Sequence, residues 1–163
     1  MFLKNYTSDV PVSQTIYRIE QVLIRCGVSG IMKEYVGTDG QIAAINFQLE
    51  TPSGKVFIRL PADVDKAWDA LWRDYMGDDL LPDGKIAWGC QKKKSKASFK
   101  EQAGRTAWKI IQDWVEVQMS MIQLKQAETL QVFLPYVMMS KDESYYDRLK
   151  VNGYAGLLPE KAS

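Results

Sequence analysis

Between Gln91 and Thr106 the chain sets Lys92, Lys93, Lys94, Lys96, Lys100 and Arg105 against a single acid, Glu101. Six cations this close together can neutralise phosphates. They also run into a helix start, where unsatisfied backbone N–H groups favour anions. Lys92, Lys93, Lys94, Lys96 and Arg105 are therefore candidate nucleic-acid contacts. An internal role competes with this one. From Asp63 to Asp83 seven aspartates stand against only Lys66 and Arg73, and the two stretches could neutralise each other in the fold. No recognition motif accompanies the lysines, so DNA and RNA are equally open.

A second candidate surface comes from strand alternation in KVFIRL. If Val56, Ile58 and Leu60 face the core, Lys55, Phe57 and Arg59 face away. Asn46 and Gln48 would join them, with Lys33 and Tyr35 as further candidates. Aromatic, basic and amide groups on an open sheet can stack bases and hold phosphates. The competing reading is that the C-terminal segment covers this face. The third candidate is Trp88 in KIAWG, an apolar island within a polar connection, which could dock on the body of the protein or on a protein partner. Trp68, Trp72, Trp108 and Trp114 fall at helical spacing and read as core residues.

The chain contains no histidine. That removes the usual general base near neutral pH and the commonest metal ligand, and with them Ser-His, Cys-His and His-ligated zinc chemistry. Cys26 and Cys90, the only two cysteines, have no C-x-x-C spacing and read as reduced thiols rather than a disulfide. No metal or cofactor is implied. Carboxylates with a hard metal remain conceivable. The nuclease core that shares an α-β-β-β-α order needs an acid on strand two and Glu-x-Lys on strand three. Here strand three carries no acid, Glu50 stands alone, and Asp78-Asp79 reads as loop. KKKSKASFKEQAG echoes the start of the second helix of a double-stranded-RNA-binding domain only loosely. Both are analogies of fold order.

These residues must be positioned by elements that the periodicity marks out. Ser98–Leu124 reads as one long central helix, with Ser98 and Glu101 as a capping box. Ala103, Ala107, Ile110, Trp114, Val117, Met121 and Leu124 form one apolar stripe. Trp108, Ile111, Val115 and Ile122 form a second. Before it come a helix over about 11–26 ending at Gly27, and strands over about 30–36, 41–50 and 55–60. Turns at Thr38-Asp39-Gly40 and Thr51-Pro52-Ser53-Gly54 separate the strands, and loops this short force antiparallel pairing. Asp63 caps a helix over about 64–76; residues 77–97 form a long loop; shorter helices follow over about 127–134 and 143–151. Residues 1–10 read as a loosely held arm and 153–163 as an irregular tail. The expected fold is α+β, a three-stranded antiparallel meander packed against helices in the order α-β-β-β-α-α, with a helical C-terminal tail. One domain is expected over 1–163.

Composition adds bounds rather than identity. The chain has 163 residues and a net charge of +1, with 46% hydrophobic and 25% charged residues, which suits an ordinary globular domain with a real core. No apolar run approaches the ~20 residues of a membrane helix, and MFLKNYTSDVPVSQ lacks the apolar stretch of a signal peptide. A cytoplasmic protein without membrane contact is expected.

The run RTAWKIIQDWVEVQMSMIQ followed by VFLPYV resembles small uncharacterised proteins of bacteriophages, prophages and other mobile elements. VPVSQTIYRIEQVLIRCGVSGIMKEY and INFQLETPSGKVFIRLP resemble the same family, so the likeness spans about residues 5–140. The Arg105–Trp108–Asp113–Trp114 helix and Leu134-Pro135-Tyr136 are its most specific parts. This chain departs in its lysine-rich linker. The resemblance implies a phage or mobile-element setting and carries over no activity or catalytic residue. The leading expectation is a non-enzymatic binding protein that contacts nucleic acid. The alternative is a protein-interaction module, such as an inhibitor of a host defence enzyme, using Trp88. A carboxylate–metal nuclease is third.

Overall fold

The structure, a computed structural model, describes residues 3–161. Its order is α1 (Val12–Arg25), β1 (Gly30–Val36), β2 (Gln41–Thr51), β3 (Gly54–Pro61), α2 (Val64–Met76), α3 (Lys100–Gln123), α4 (Thr129–Phe133) and α5 (Tyr145–Val151). This is the expected α+β arrangement. The chain divides into two compact units, Met1–Ile19 with Ala62–Val115, and Glu20–Pro61 with Glu116–Ser163. Of the three dividing points, two fall inside α1 and α3 and one lies between β3 and α2.

In the sheet-containing unit, β2 lies between β1 and β3 and pairs antiparallel with both. Ile45, Phe47, Leu49, Ile58 and Leu60 are buried as alternation predicts. A bulge between Glu34 and Tyr35 shifts the β1 register. Phe47 meets Phe133 edge to face, with ring centroids 5.1 Å apart. α1 ends in a left-handed turn at Gly27, whose φ is +81°. There Val28 N–H reaches Leu23 O and Gly27 N–H reaches Ile24 O, the paired bonds of a Schellman ending. Cys26 and Cys90 are free thiols; burial pushes the Cys26 thiol up.

In the other unit, Asp63 caps α2 by accepting from Lys66 N–H at 3.1 Å. α3 departs from expectation in two ways. Its capping box does not form, because the chain is already wound as a 3₁₀ turn over Lys96–Phe99. Ser98 therefore lies inside the turn and donates to Ser95 O at 2.7 Å, while Glu101 pairs with Arg105. The buried positions are also Ala103 and Ala107 from the first stripe, Trp108 and Val115 from the second, and Thr106 and Gln112, so the first stripe is fully buried only at its start. That stripe repeats every 3.5 residues and drifts about 20° per heptad on a straight helix, so Val117 and Leu124 at its far end are exposed.

Described residues of the N-terminal arm make several hydrogen bonds to the rest of the chain. The N-terminal arm is tied to α3: Asn5 Nδ2 donates to Asp113 at 2.9 Å, Thr106 Oγ1 donates to Asn5 O at 3.1 Å, and Gln102 Nε2 bonds Tyr6 O and Ser8 O at 3.0 and 2.9 Å. The tail holds one three-residue 3₁₀ turn, Ala155–Leu157, among exposed residues without other regular elements.

Asp113 makes the arm sensitive to acid. Partial burial raises its carboxyl, but Asn5, Lys4 and Lys109 outweigh that and hold it below the ordinary 3.8. A depressed folded value means the stabilisation is present above the ordinary value and is lost as pH falls through the depressed one. Asp113→Asn is expected to cost about 1 kcal/mol at pH 7, reduced from a fully buried charge-assisted bond by solvent screening. The gap between the two proteins should close as pH falls through that depressed value. Denaturant unfolding at neutral and acid pH checks this, and a gap unchanged with pH would remove Asp113 from the arm's support.

Candidate nucleic-acid interface

The lysine segment runs across α2 as a strap. Four aromatic residues receive it. Trp72, Tyr75 and Phe99 form a cluster with ring centroids 5.1 to 6.1 Å apart, and Trp68 Nε1 donates to Lys96 O at 2.6 Å. The Lys94 backbone N–H donates to the Tyr75 hydroxyl at 3.2 Å. The spacing of Trp68, Trp72 and Tyr75 puts them on one side of α2. They are half-buried and floor the strap, so among the five tryptophans only Trp108 is a core residue.

The floor also organises the charges. Lys92 Nζ lies 2.8 Å from Asp79 and donates to Met76 O. Lys96 Nζ pairs with Asp69 and sits 5.1 Å from the centre of the Trp68 ring. Hydrogen bonds from Lys96 and Lys92 hold the Asp69 and Asp79 carboxyls below the usual range, and the Asp79 bond holds Lys92 up. Arg105 faces Glu101 and Gln102 and donates to Ser8 O at 3.2 Å, so it fastens the arm. Lys94 lies 5.8 Å from the Phe99 ring and 6.0 Å from the Tyr75 ring, and Lys100 lies 5.9 Å from Trp68. Such cation–π contacts leave the outer side of the ammonium open to an anion.

The six cations of the segment, the five candidates and Lys100, thus separate. Lys92, Lys96 and Arg105 each have an acidic partner. Lys93, Lys94 and Lys100 have none within ion-pair distance among the described residues. Lys93 and Lys94 border an open depression of about 510 Å³ with Ser95, Ser98, Phe99 and Gln102. Ammonium, hydroxyl, amide and aromatic groups there can together meet a phosphate and the sugar or base beside it.

The sheet face is a separate surface in the other unit. Register places Met32 and Glu34, Asn46, and Phe57 and Arg59 on one side. Lys33 lies on the opposite side and pairs with Glu20 of α1 at 2.9 Å. Arg59 Nε and Nη2 both donate to Glu34 at 2.9 Å, and Asn46 Nδ2 donates to the same carboxylate at 3.3 Å. The Arg59 bond holds the Glu34 carboxyl below its ordinary value. Lys55 lies 3.5 Å from Glu50. Phe57 is 54% exposed, so the aromatic group is available while both cations beside it face acids.

The C-terminal segment reaches this sheet without closing it over. Met138 N–H donates to Phe57 O at 2.7 Å and Val137 bridges Ile58, adding a short antiparallel contact to the free edge of β3. Ser144 then caps α5. The result is a groove of about 1250 Å³ between the sheet face and this segment. Sequence reasoning missed it, because a two-residue bridge leaves no periodic signal.

Trp88 is 102% exposed and does not dock on the chain. The connection that carries it is structured: a 3₁₀ turn over Gly77–Asp79, then a small hairpin closed by the Leu80–Ile86 bridge. Among the described residues no group of three or more His, Cys, Asp or Glu is placed to hold a metal ion, and no helix is long and apolar enough to cross a membrane. Comparison with protein-family models, curated proteins and solved structures found no significant match.

Proposed function

We propose that the chain is a non-enzymatic binding protein of phage or mobile-element type that contacts nucleic acid through the strap. The observation that carries this is the uncompensated set Lys93, Lys94 and Lys100 around the start of α3, held over an aromatic floor by two ion-paired neighbours. Because the strap is already anchored, ordering it on binding costs little further entropy. Lys55 and Arg59 support the reading less, since a phosphate would have to displace Glu50 or Glu34.

A salt-dependent titration against labelled single-stranded DNA, duplex DNA and RNA tests it. Three cations imply a log–log salt slope of about −2 on single strands and about −2.7 on duplex DNA. Absence of binding to all three at about 50 mM salt, where such contacts are strongest, would sink the proposal.

A second reading, a protein-interaction module such as an inhibitor of a host defence enzyme, draws on the sheet-face groove with Met32, Phe57 and Tyr136 on its walls. It requires a complex that survives moderate salt and is lost when Phe57 is replaced by glutamate.

A further inference from the structure

We infer that Trp88 is a base-stacking platform, and that the nucleic acid taken by the strap is single-stranded. This rests on the nucleic-acid reading above and adds the form of ligand to it. A tryptophan is highly buried on average in folded proteins, and leaving its whole apolar surface in water forgoes the stabilisation that burial would bring. Trp88, at 102% exposure, has no cover, and Ile86 and Leu81 nearby are 55% and 41% exposed.

The ring is presented by rigid backbone. The hairpin beneath it is closed by Leu81 N–H to Lys85 O at 2.8 Å and Gly84 N–H to Leu81 O at 2.9 Å. Cys90 N–H returns to Ala87 O at 3.3 Å, and Gly89, at the third position of that turn, has a φ of +84°. A left-handed φ there is what glycine supplies without strain, and it leaves Trp88 at the outer corner. The turn and the strap share one anchor. Ala87 N–H donates to the Asp79 carbonyl at 2.8 Å, and Lys92 Nζ meets the Asp79 carboxylate at 2.8 Å. Trp88 follows the first anchored residue and Lys93 follows the second, so the ring and the uncompensated lysines are held from the same point.

An exposed indole beside a basic track matches the way single strands are bound. Phosphates follow the cations while an unpaired base lies on the aromatic face. A duplex keeps its bases paired and offers that ring only its sugar–phosphate exterior. Charge selects this occupant over an apolar one: Lys93 and Lys94 follow the ring in the chain without an acidic partner among the described residues, while Lys85 before it pairs with Asp83 at 3.3 Å.

The test is a titration of wild type, Trp88→Ala and Trp88→Phe against an oligothymidine and against a duplex of equal length, at one salt concentration. Wild type is expected to prefer the single strand. Trp88→Ala should lose about tenfold or more on the single strand, the usual loss for one stacked base, while its duplex affinity stays unchanged. Trp88→Phe should retain most of the binding. The side chain is fully exposed, so the variants should fold, and circular dichroism verifies it. Equal single-strand affinity in wild type and Trp88→Ala would overturn the stacking role and leave the lysine reading standing. Equal losses on both ligands would overturn the single-strand assignment. Failure of wild type to bind either ligand would overturn the stacking role and the single-strand assignment, and the lysine reading would fall with them if RNA were also left unbound at about 50 mM salt.

Discussion

Trp108→Ala is expected to lower the unfolding free energy by about 3–5 kcal/mol, the range for deleting a large buried aromatic side chain. Trp108 lies at the middle of the buried face of α3 and is 1% exposed. Its neighbours on that face include Ala103, Ala107 and Val115, all buried. A close-packed interior relaxes only partly into the space a large side chain leaves, so the cavity cost adds to the lost transfer energy. A loss of this size is a large part of the ~5–15 kcal/mol that holds a typical domain together. Denaturant unfolding measures it directly. Trp114→Ala, at a half-buried position on the same helix, should cost less. If it cost more, the first apolar stripe rather than the Trp108 stripe would be the packed face.

Lys93→Glu with Lys94→Glu is expected to lower nucleic-acid affinity by about 100-fold or more near 0.1 M salt. Each phosphate contact contributes about tenfold there through counterion release, and reversal adds repulsion to the loss. The salt slope should become shallower by about two contacts' worth. Both side chains are exposed and unpaired with acids among the described residues, so stability should be nearly unaffected. Lys55→Glu, in the other unit and opposite Glu50, should leave affinity near that of the wild type. A double variant that bound as the wild type does, with the same slope, would remove the strap from the interface. Strong loss from Lys55→Glu would move the interface to the sheet face.

Local signals in this chain were accurate where the governing interaction is itself local. Gly27 marks the end of α1 because the left-handed turn needs no side chain. Asp63 marks the start of α2 because its carboxylate reaches the N–H three residues on. The three strands stand where alternation and short turns place them, since the pairing of neighbours joined by such turns leaves little freedom. Ser98 misled for a related reason. Its sequence context matches a capping box, but a turn begun three residues earlier had already taken up the helix start.

The binding surface was legible as composition and not as geometry. That lysines and aspartates oppose each other is visible in the order of residues, and so is the isolation of Trp88 in a polar connection. Which lysines remain uncommitted is not visible. Lys92 with Asp79 and Lys96 with Asp69 are pairs selected by the path of the strap across α2. Arg105 shows the same limit: its place beside a helix start suggested phosphate, and a backbone carbonyl of the arm claims it.

Element types, their order, the antiparallel meander and the basic character of the 92–105 segment thus follow from local sequence alone. They depend on φ/ψ preferences, hydrophobic period and capping, all settled within a few residues. The face of α3 that is buried, the anchoring of the arm, the groove beside β3 and the sorting of paired from unpaired cations were decided by tertiary structure. Each depends on distances between residues far apart in the chain, and a charge or a hydrogen-bonding group pairs with whatever the fold brings near it.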